Sequence, residues 1–155
     1  MKYYIGNIVP EPNVIFVFGS NLQGRHGAGS AKCAVKLFGA KYGQNEGLQG
    51  SSYALPTTDL MNHTGLPLSQ ITENIKKMYN CARENPNKKF KIAYRNQLDE
   101  KTLCHYTGKQ LMQCFINACD GQYFPDNVIF SFEWYQNFLS YEPFNRQINN
   151  LKYEI

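Results

Sequence analysis

VIFVFGSNLQGRHGAGSAKCAVKLFGA, residues 14–40, begins as an unbroken apolar run and passes directly into a polar, glycine-dense turn that opens an amphipathic helix. The run from Val14 to Phe18 suits a strand buried on both faces of a mostly parallel sheet. Gly19, Gly24, Gly27 and Gly29 let the backbone turn sharply and approach a ligand closely. Unpaired N–H groups and the positive end of the helix dipole then face whatever lies above the turn, so the expected ligand is phosphorylated. The plainer alternative, glycines that only shape a tight strand-to-helix loop, must explain more of them than such a connection needs.

On either side of this segment strands and helices alternate. Tyr3 to Ile8 reads as an edge strand closed by Pro10 and Pro12. The helix from Ser30 to Phe38 places Ala31, Ala34, Val35 and Phe38 on one face and ends at Gly39. Tyr42 to Ser52 reads as a loop, Tyr53 to Leu55 as a short strand stopped by Pro56, and Thr57 to Pro67 as a second loop. Ser69 is expected to cap a helix with the stripe Ile71, Ile75, Met78, Tyr79 and Ala82, ending before Pro86. Phe90 to Ala93 is a further strand, and Thr107-Gly-Lys-Gln110 has the form of a capping box ahead of Leu111, Met112, Phe115, Ile116 and Cys119. Asn127 to Ser131 is the last strand, and the aromatic and polar stretch 132–155, which has no clear period, reads as a C-terminal extension.

Strands separated by helices imply right-handed crossovers and one α/β domain over residues 1–155: a three-layer helix/sheet/helix arrangement around a mixed, mostly parallel central sheet. Ligands of such sheets bind at the carboxyl ends of the strands, so the loops after Phe18, Leu55, Ala93 and Ser131 are expected to share one rim.

With 43% hydrophobic and 18% charged residues the chain belongs with globular proteins rather than disordered ones. Its apolar runs fall short of the roughly 18 residues a spanning helix needs, and MKYYIGNIVPEP has no signal-peptide pattern, so a cytoplasmic protein with no membrane partner is expected. A net charge of +4 favours anionic small molecules without demanding nucleic acid. Cys33, Cys81, Cys104, Cys114 and Cys119 form neither a CxxC pair nor a zinc-spaced cluster, so they are expected to be reduced thiols, with no metal and no cofactor.

Familiar phosphate motifs do not fit the turn. Gly24-Arg-His-Gly27-Ala-Gly29-Ser30 lacks the lysine of a Walker A loop and has the order GxxGxG rather than GxGxxG, and Gly19-Ser20-Asn21 is no GxSxG elbow. His26 lies inside the turn, and an imidazole's ordinary pKa near neutrality suits it to proton transfer; the alternative is a loop residue hydrogen-bonded to backbone.

Taken together, the pattern resembles the macro domain, a family that binds ADP-ribose and related nucleotides, and within it the macro-like proteins of bacteria and their phages. The resemblance rests on Gly6-Asn7-Ile8, then the apolar strand from Val14 to Phe18, then Gly19-Ser20-Asn21, then the loop from Gly24 to Gly29. Gly47-Leu-Gln-Gly50 followed by Tyr53-Ala-Leu-Pro56 extends it. It implies that Asn21 hydrogen-bonds the distal ribose, that the backbone of Gly19, Ser20, Gly24, Gly27, Ala28 and Gly29 approaches ribose and phosphate, and that Arg25 pairs with a phosphate, although an exposed loop arginine is more often simply solvated. Two departures stand out. Asn7 occupies the place of the acidic residue that accepts a hydrogen bond from the adenine amine, and Tyr94-Arg-Asn-Gln97 has no glycine where the family has a second glycine-rich loop, which leaves Arg95 to supply a charged fork.

The expected activity is hydrolysis of an ADP-ribose derivative, either ADP-ribose-1″-phosphate or an ADP-ribosyl–acceptor bond, with Asn21 and His26 as the catalytic residues. A non-catalytic module that binds ADP-ribose or another NAD-derived nucleotide is the alternative. Glu46, Asp59, His63, His105 and Lys32 have no spacing that assigns them a role. Single-strand nucleic-acid binding is the weakest alternative: most Phe and Tyr fall in apolar runs, the exceptions being Phe132, Trp134, Tyr135, Phe138, Tyr141 and Phe144.

Overall fold

The computed structural model describes residues 1–140. In chain order the elements are β1 (Lys2–Tyr4), β2 (Val14–Asn21), α1 (Gly29–Leu37), β3 (Gly47–Gln49), β4 (Ser52–Asp59), β5 (Thr64–Gly65), α2 (Leu68–Glu84), β6 (Lys89–Ile92), α3 (Gly108–Asn117), β7 (Val128–Ser131) and α4 (Phe132–Ser140). The apolar run of β2 makes it a central strand, paired in parallel with β4 on one side and β6 on the other. The sheet order is β1-β7-β6-β2-β4-β3, parallel except for β3 and for β5, which both pair antiparallel with β4.

The pleat divides the core in two. Ile15, Val17, Tyr53, Leu55, Phe90, Ile92 and Phe130 join the apolar sides of α2, α3 and α4 on one face of the sheet. Phe16, Phe18 and Ala54 meet Ala31, Ala34 and Phe38 on the other, where α1 lies. The result is the three-layer α/β fold that the alternation of strands and helices implied.

Several boundaries differ from the sequence expectation, each for a local reason. β1 stops at Tyr4 because Gly6, at φ +79, turns the chain away from the sheet. Val35 lies one residue beyond the Ala31/Ala34 stripe, about 100° around the helix, and is exposed rather than buried. The cap of α2 is Pro67, not Ser69: the Pro67 carbonyl already accepts from the Gln70 and Ile71 N–H groups, so Ser69 sits inside the helix. The stripe Ile71, Ile75, Met78, Tyr79 and Ala82 is buried throughout. The capping box of α3 forms as expected, Thr107 Oγ1 accepting from the Gln110 N–H at 3.2 Å and Gln110 Oε1 from the Thr107 N–H at 2.9 Å.

Pro56 does not stop β4 but stands inside it. It faces Ser20, and the next paired residues are Asn21 and Thr58, so Thr57 is an extra residue in a bulge where the ladder is already irregular. Residues 132–140 are likewise part of the body of the fold. Trp134 and Phe138 of α4 are fully buried, and the Trp134 Nε1–H donates to the Asn96 carbonyl at 2.9 Å. Tyr141 and Phe144, grouped with them by sequence, lie outside the described residues. No helix among the described residues is long and apolar enough to cross a membrane.

Candidate functional site

At the carboxyl ends of β2, β4 and β6 lies a cavity of about 730 Å³. Three segments line it. The first runs from Gly19 through Ser20, Asn21, Arg25, Gly27 and Ala28 to Ser30 and Ala31 of α1; the second is Thr57, Thr58 and Leu60 at the end of β4; the third follows β6 and carries Ala93, Tyr94, Arg95, Asn96, Glu100, Thr102, Leu103 and Cys104. Tyr42 adds an aromatic side chain. The bulge matters here, because consecutive residues of a regular strand point to opposite faces, whereas Thr57 and Thr58 both reach the cavity.

α1 begins at Ala28 with no side-chain cap and no acidic residue in its first turn. Its first N–H groups and the positive end of its dipole are thus left to whatever fills the cavity. The turn ahead of it is shaped by Asn21, whose Oδ1 accepts from the Arg25 N–H and whose Nδ2 donates to the Arg25 carbonyl, both at 2.9 Å. Asn21 lines the cavity, and its amide also holds the turn closed.

The glycines of the turn have different tasks. Gly24 does not line the cavity; it takes φ +66 against Gly43, whose N–H donates to the Gly24 carbonyl at 2.8 Å. A Cβ there would lie 2.6–2.9 Å from Gly43 backbone atoms, so Gly24 is a packing glycine between two loops. Gly29, at φ +57, lies beneath Leu103 and also leaves the lining. A Cβ on Gly19 would collide with the Tyr94 hydroxyl. Gly27 alone among them combines a place on the lining with open space around a would-be Cβ and an unstrained φ. Gly24→Ala should cost roughly 2 kcal/mol or more, from left-handed strain plus the backbone contact, and lower the melting temperature by several degrees in a calorimetric scan. An unchanged melting temperature would contradict the packing role.

His26 does not line the cavity. It is 3% exposed, its ring meets Phe18 edge-on at 5.1 Å, and Nε2–H donates to the Gln44 carbonyl at 2.9 Å. Gln49 Nε2 donates to the same carbonyl at 3.1 Å, so His26 stitches the glycine turn to the segment 44–49. Its Nδ1 is buried with no partner among the described residues.

Asn7 and Arg95 are brought together, but not around the cavity. Arg95 lines it, while its Nη1 donates to Asn7 Oδ1 at 3.2 Å and its guanidinium lies 5.8 Å from the centre of the Tyr4 ring. The Asn7 carbonyl expected to meet an adenine amine instead accepts from Arg95, and Asn7 is not on the lining. Tyr4 itself donates to the Ile92 carbonyl at 2.6 Å, and burial pushes its pKa up to about 12 against the opposing pull of Arg95.

The remaining titratable candidates stand elsewhere. Glu46 is 3.9 Å from Lys77. Asp59 accepts from Asn62, Gln23 and the Met61 N–H, and those bonds, the one from Asn62 first, hold its carboxyl below the usual carboxylate range. His63 and His105 occupy left-handed turn positions at φ 51 and 71, and Lys32 is exposed; none of the five lines the cavity. Among the described residues no group of His, Cys, Asp and Glu is placed to hold a metal ion. No disulfide joins the cysteines, and Cys104 is the one on the lining.

Tyr42, Thr57, Thr58, Tyr94, Asn96, Glu100 and Leu103 were not singled out by sequence as site residues. They reach the cavity through the bulge, through the return of the 40–46 segment onto the glycine turn, and through the loop after β6. The stretch after Leu55 and the loop after β6 were signalled, by the rule that loops at the carboxyl ends of strands share a rim; the bulge and the 40–46 segment were not. Tyr94 is the best held of them: it stacks on Trp134 at 5.3 Å and hydrogen-bonds Thr57, and burial drives its pKa well above the tyrosine norm. Comparison of the chain with protein-family models, curated proteins and solved structures gives no match.

Proposed function

We propose that this cavity binds ADP-ribose or a closely related nucleotide, with phosphate oxygens over the glycine turn and the first turn of α1. The observation that carries the reading is an uncapped helix N-terminus opening onto a cavity whose lining includes two arginines, Arg25 and Arg95. Backbone N–H groups, a helix dipole and bidentate donors together are what a diphosphate needs. A volume of about 730 Å³ is also within the range usual for small-molecule sites. The adenosine and distal ribose come from the resemblance to macro domains, supported by the convergence of Gly19, Ser20, Asn21, Arg25, Gly27, Ala28 and Arg95 on one lining.

The test is a thermal shift with ADP-ribose, AMP and inorganic phosphate. ADP-ribose at a hundredfold excess over its Kd should add about 2.7 kcal/mol, or roughly 5–10 °C, with a smaller rise for the fragments. No shift with any of them sinks the reading.

Hydrolysis of an ADP-ribose derivative is the second reading, and Glu100 is the observation that favours it. It is the carboxylate of the lining, steadied by the Gln97 N–H at 3.1 Å and Asn96 Nδ2 at 3.4 Å, and it is suited to accept a proton from an attacking water. With His26 turned into the protein, proton transfer falls to Glu100. Turnover of ADP-ribose-1″-phosphate that survives Glu100→Gln unchanged would remove this role.

A further inference from the structure

Tyr42 is an aromatic residue that the core does not explain. It is 66% exposed, belongs to neither apolar cluster, and yet lines the cavity. Its backbone is pinned on both sides: the Lys41 N–H donates to Gln49 Oε1 at 2.8 Å, the Gly43 N–H donates to the Gly24 carbonyl at 2.8 Å, and a turn closes from the Gln44 N–H to the Lys41 carbonyl at 3.0 Å. The ring's one described aromatic neighbour is His26, edge-on at 6.3 Å. Tyr94, the other aromatic residue of the lining, already stacks on Trp134 with the rings 12° from parallel and meets Phe115 edge-on. Tyr42 is therefore the aromatic group of the lining with a face to offer a ligand, carried on a fixed stretch of chain.

We propose that Tyr42 is the stacking platform for the base of the bound nucleotide, and that the base is held by its face rather than read along its hydrogen-bonding edge. This rests on the nucleotide reading above and adds a specificity rule to it. The side chain that the resemblance assigns to the edge of adenine, Asn7, lies off the lining and gives its carbonyl to Arg95. Stacking, by contrast, is open to every base, because every base has a π-face. The ligand class is thus a nucleoside diphosphate sugar with a broad choice of base. Arg25, from the adjoining turn, is placed to meet the phosphates of the same molecule.

The experiment compares ADP-ribose with its hypoxanthine analogue by calorimetry, on the wild-type chain, Tyr42→Phe and Tyr42→Ala, and follows the emission of the ethenoadenine analogue, which stacking on a ring quenches. The wild-type chain should bind the adenine and hypoxanthine ligands with affinities within about threefold of each other, and Tyr42→Phe should match it. Tyr42→Ala should weaken both by roughly tenfold or more, the affinity equivalent of one lost stacked ring, and restore the emission. Because Tyr42 is exposed, Tyr42→Ala should melt with the wild-type chain. Binding or quenching unchanged in Tyr42→Ala, or a preference for adenine well beyond tenfold, overturns the stacking proposal and leaves the nucleotide reading standing. Failure of the wild-type chain to bind any of the three ligands overturns both.

Discussion

Trp134→Ala should remove about 3–5 kcal/mol of stability, the range for deleting a fully buried large aromatic residue, and lower the melting temperature by about 10 °C. Trp134 is 0% exposed and stands at a junction: it stacks on Tyr94, meets Phe115 edge-on at 5.5 Å and Phe138 at 5.8 Å, and its indole N–H holds the Asn96 carbonyl. Against a typical domain stability of about 5–15 kcal/mol the loss is a large share. Tyr94 and Asn96 line the cavity, so ligand affinity should fall as well. Trp134→Phe keeps a six-membered ring but loses the N–H together with the rest of the indole, so its loss should be smaller than that of Trp134→Ala. Denaturant titration of both variants checks this, and a loss under about 1 kcal/mol for Trp134→Ala would mean that α4 is not integral to the core.

The largest effect on binding without an effect on stability should come from Gly27→Ala. A methyl group there finds no protein atom within 4 Å, and the residue does not require the left-handed region, so the fold should hold or gain slightly. If phosphate oxygens lie against the turn, the same methyl group occupies their space, and the strain of forced contact, about 1–3 kcal/mol, weakens binding roughly ten- to a hundredfold. Gly24→Ala has the opposite signature, with stability lost first. Calorimetry on Gly27→Ala with ADP-ribose decides the matter: wild-type affinity would place the ligand away from the turn amides.

The contrast between these glycines also shows what a sequence can and cannot disclose. Density of glycine marked the turn, but it did not distinguish Gly27, which borders open space on the cavity, from Gly24, which packs against the Gly43 backbone, since a missing Cβ serves both. The central strands were legible because burial on both faces leaves an unbroken apolar run, as in Val14 to Phe18 and Val128 to Phe130. β3 and β5 were not, because three and two residues of mixed polarity carry no period. Pro56 gave the wrong signal: its missing N–H is tolerated at a bulge, and no local pattern announces a bulge. His26 was left open between proton transfer and a backbone hydrogen bond for a related reason. Residue type suited it to proton transfer, while its position was set by a contact with the Gln44 carbonyl, eighteen residues away in the chain.

The pairing of β1 with β7 has a consequence for how this molecule is made. Lys2, Tyr3 and Tyr4 leave the ribosome before the rest of the sheet, yet the residues they pair with, Ile129 to Ser131, emerge, at about 5–20 residues per second, of the order of ten seconds later. Until then one margin of the growing sheet has no neighbour and β1 has nowhere native to go. Closing so long a loop is entropically slow, which makes this the step at which mispairing with other chains competes and at which a chaperone would have most to protect.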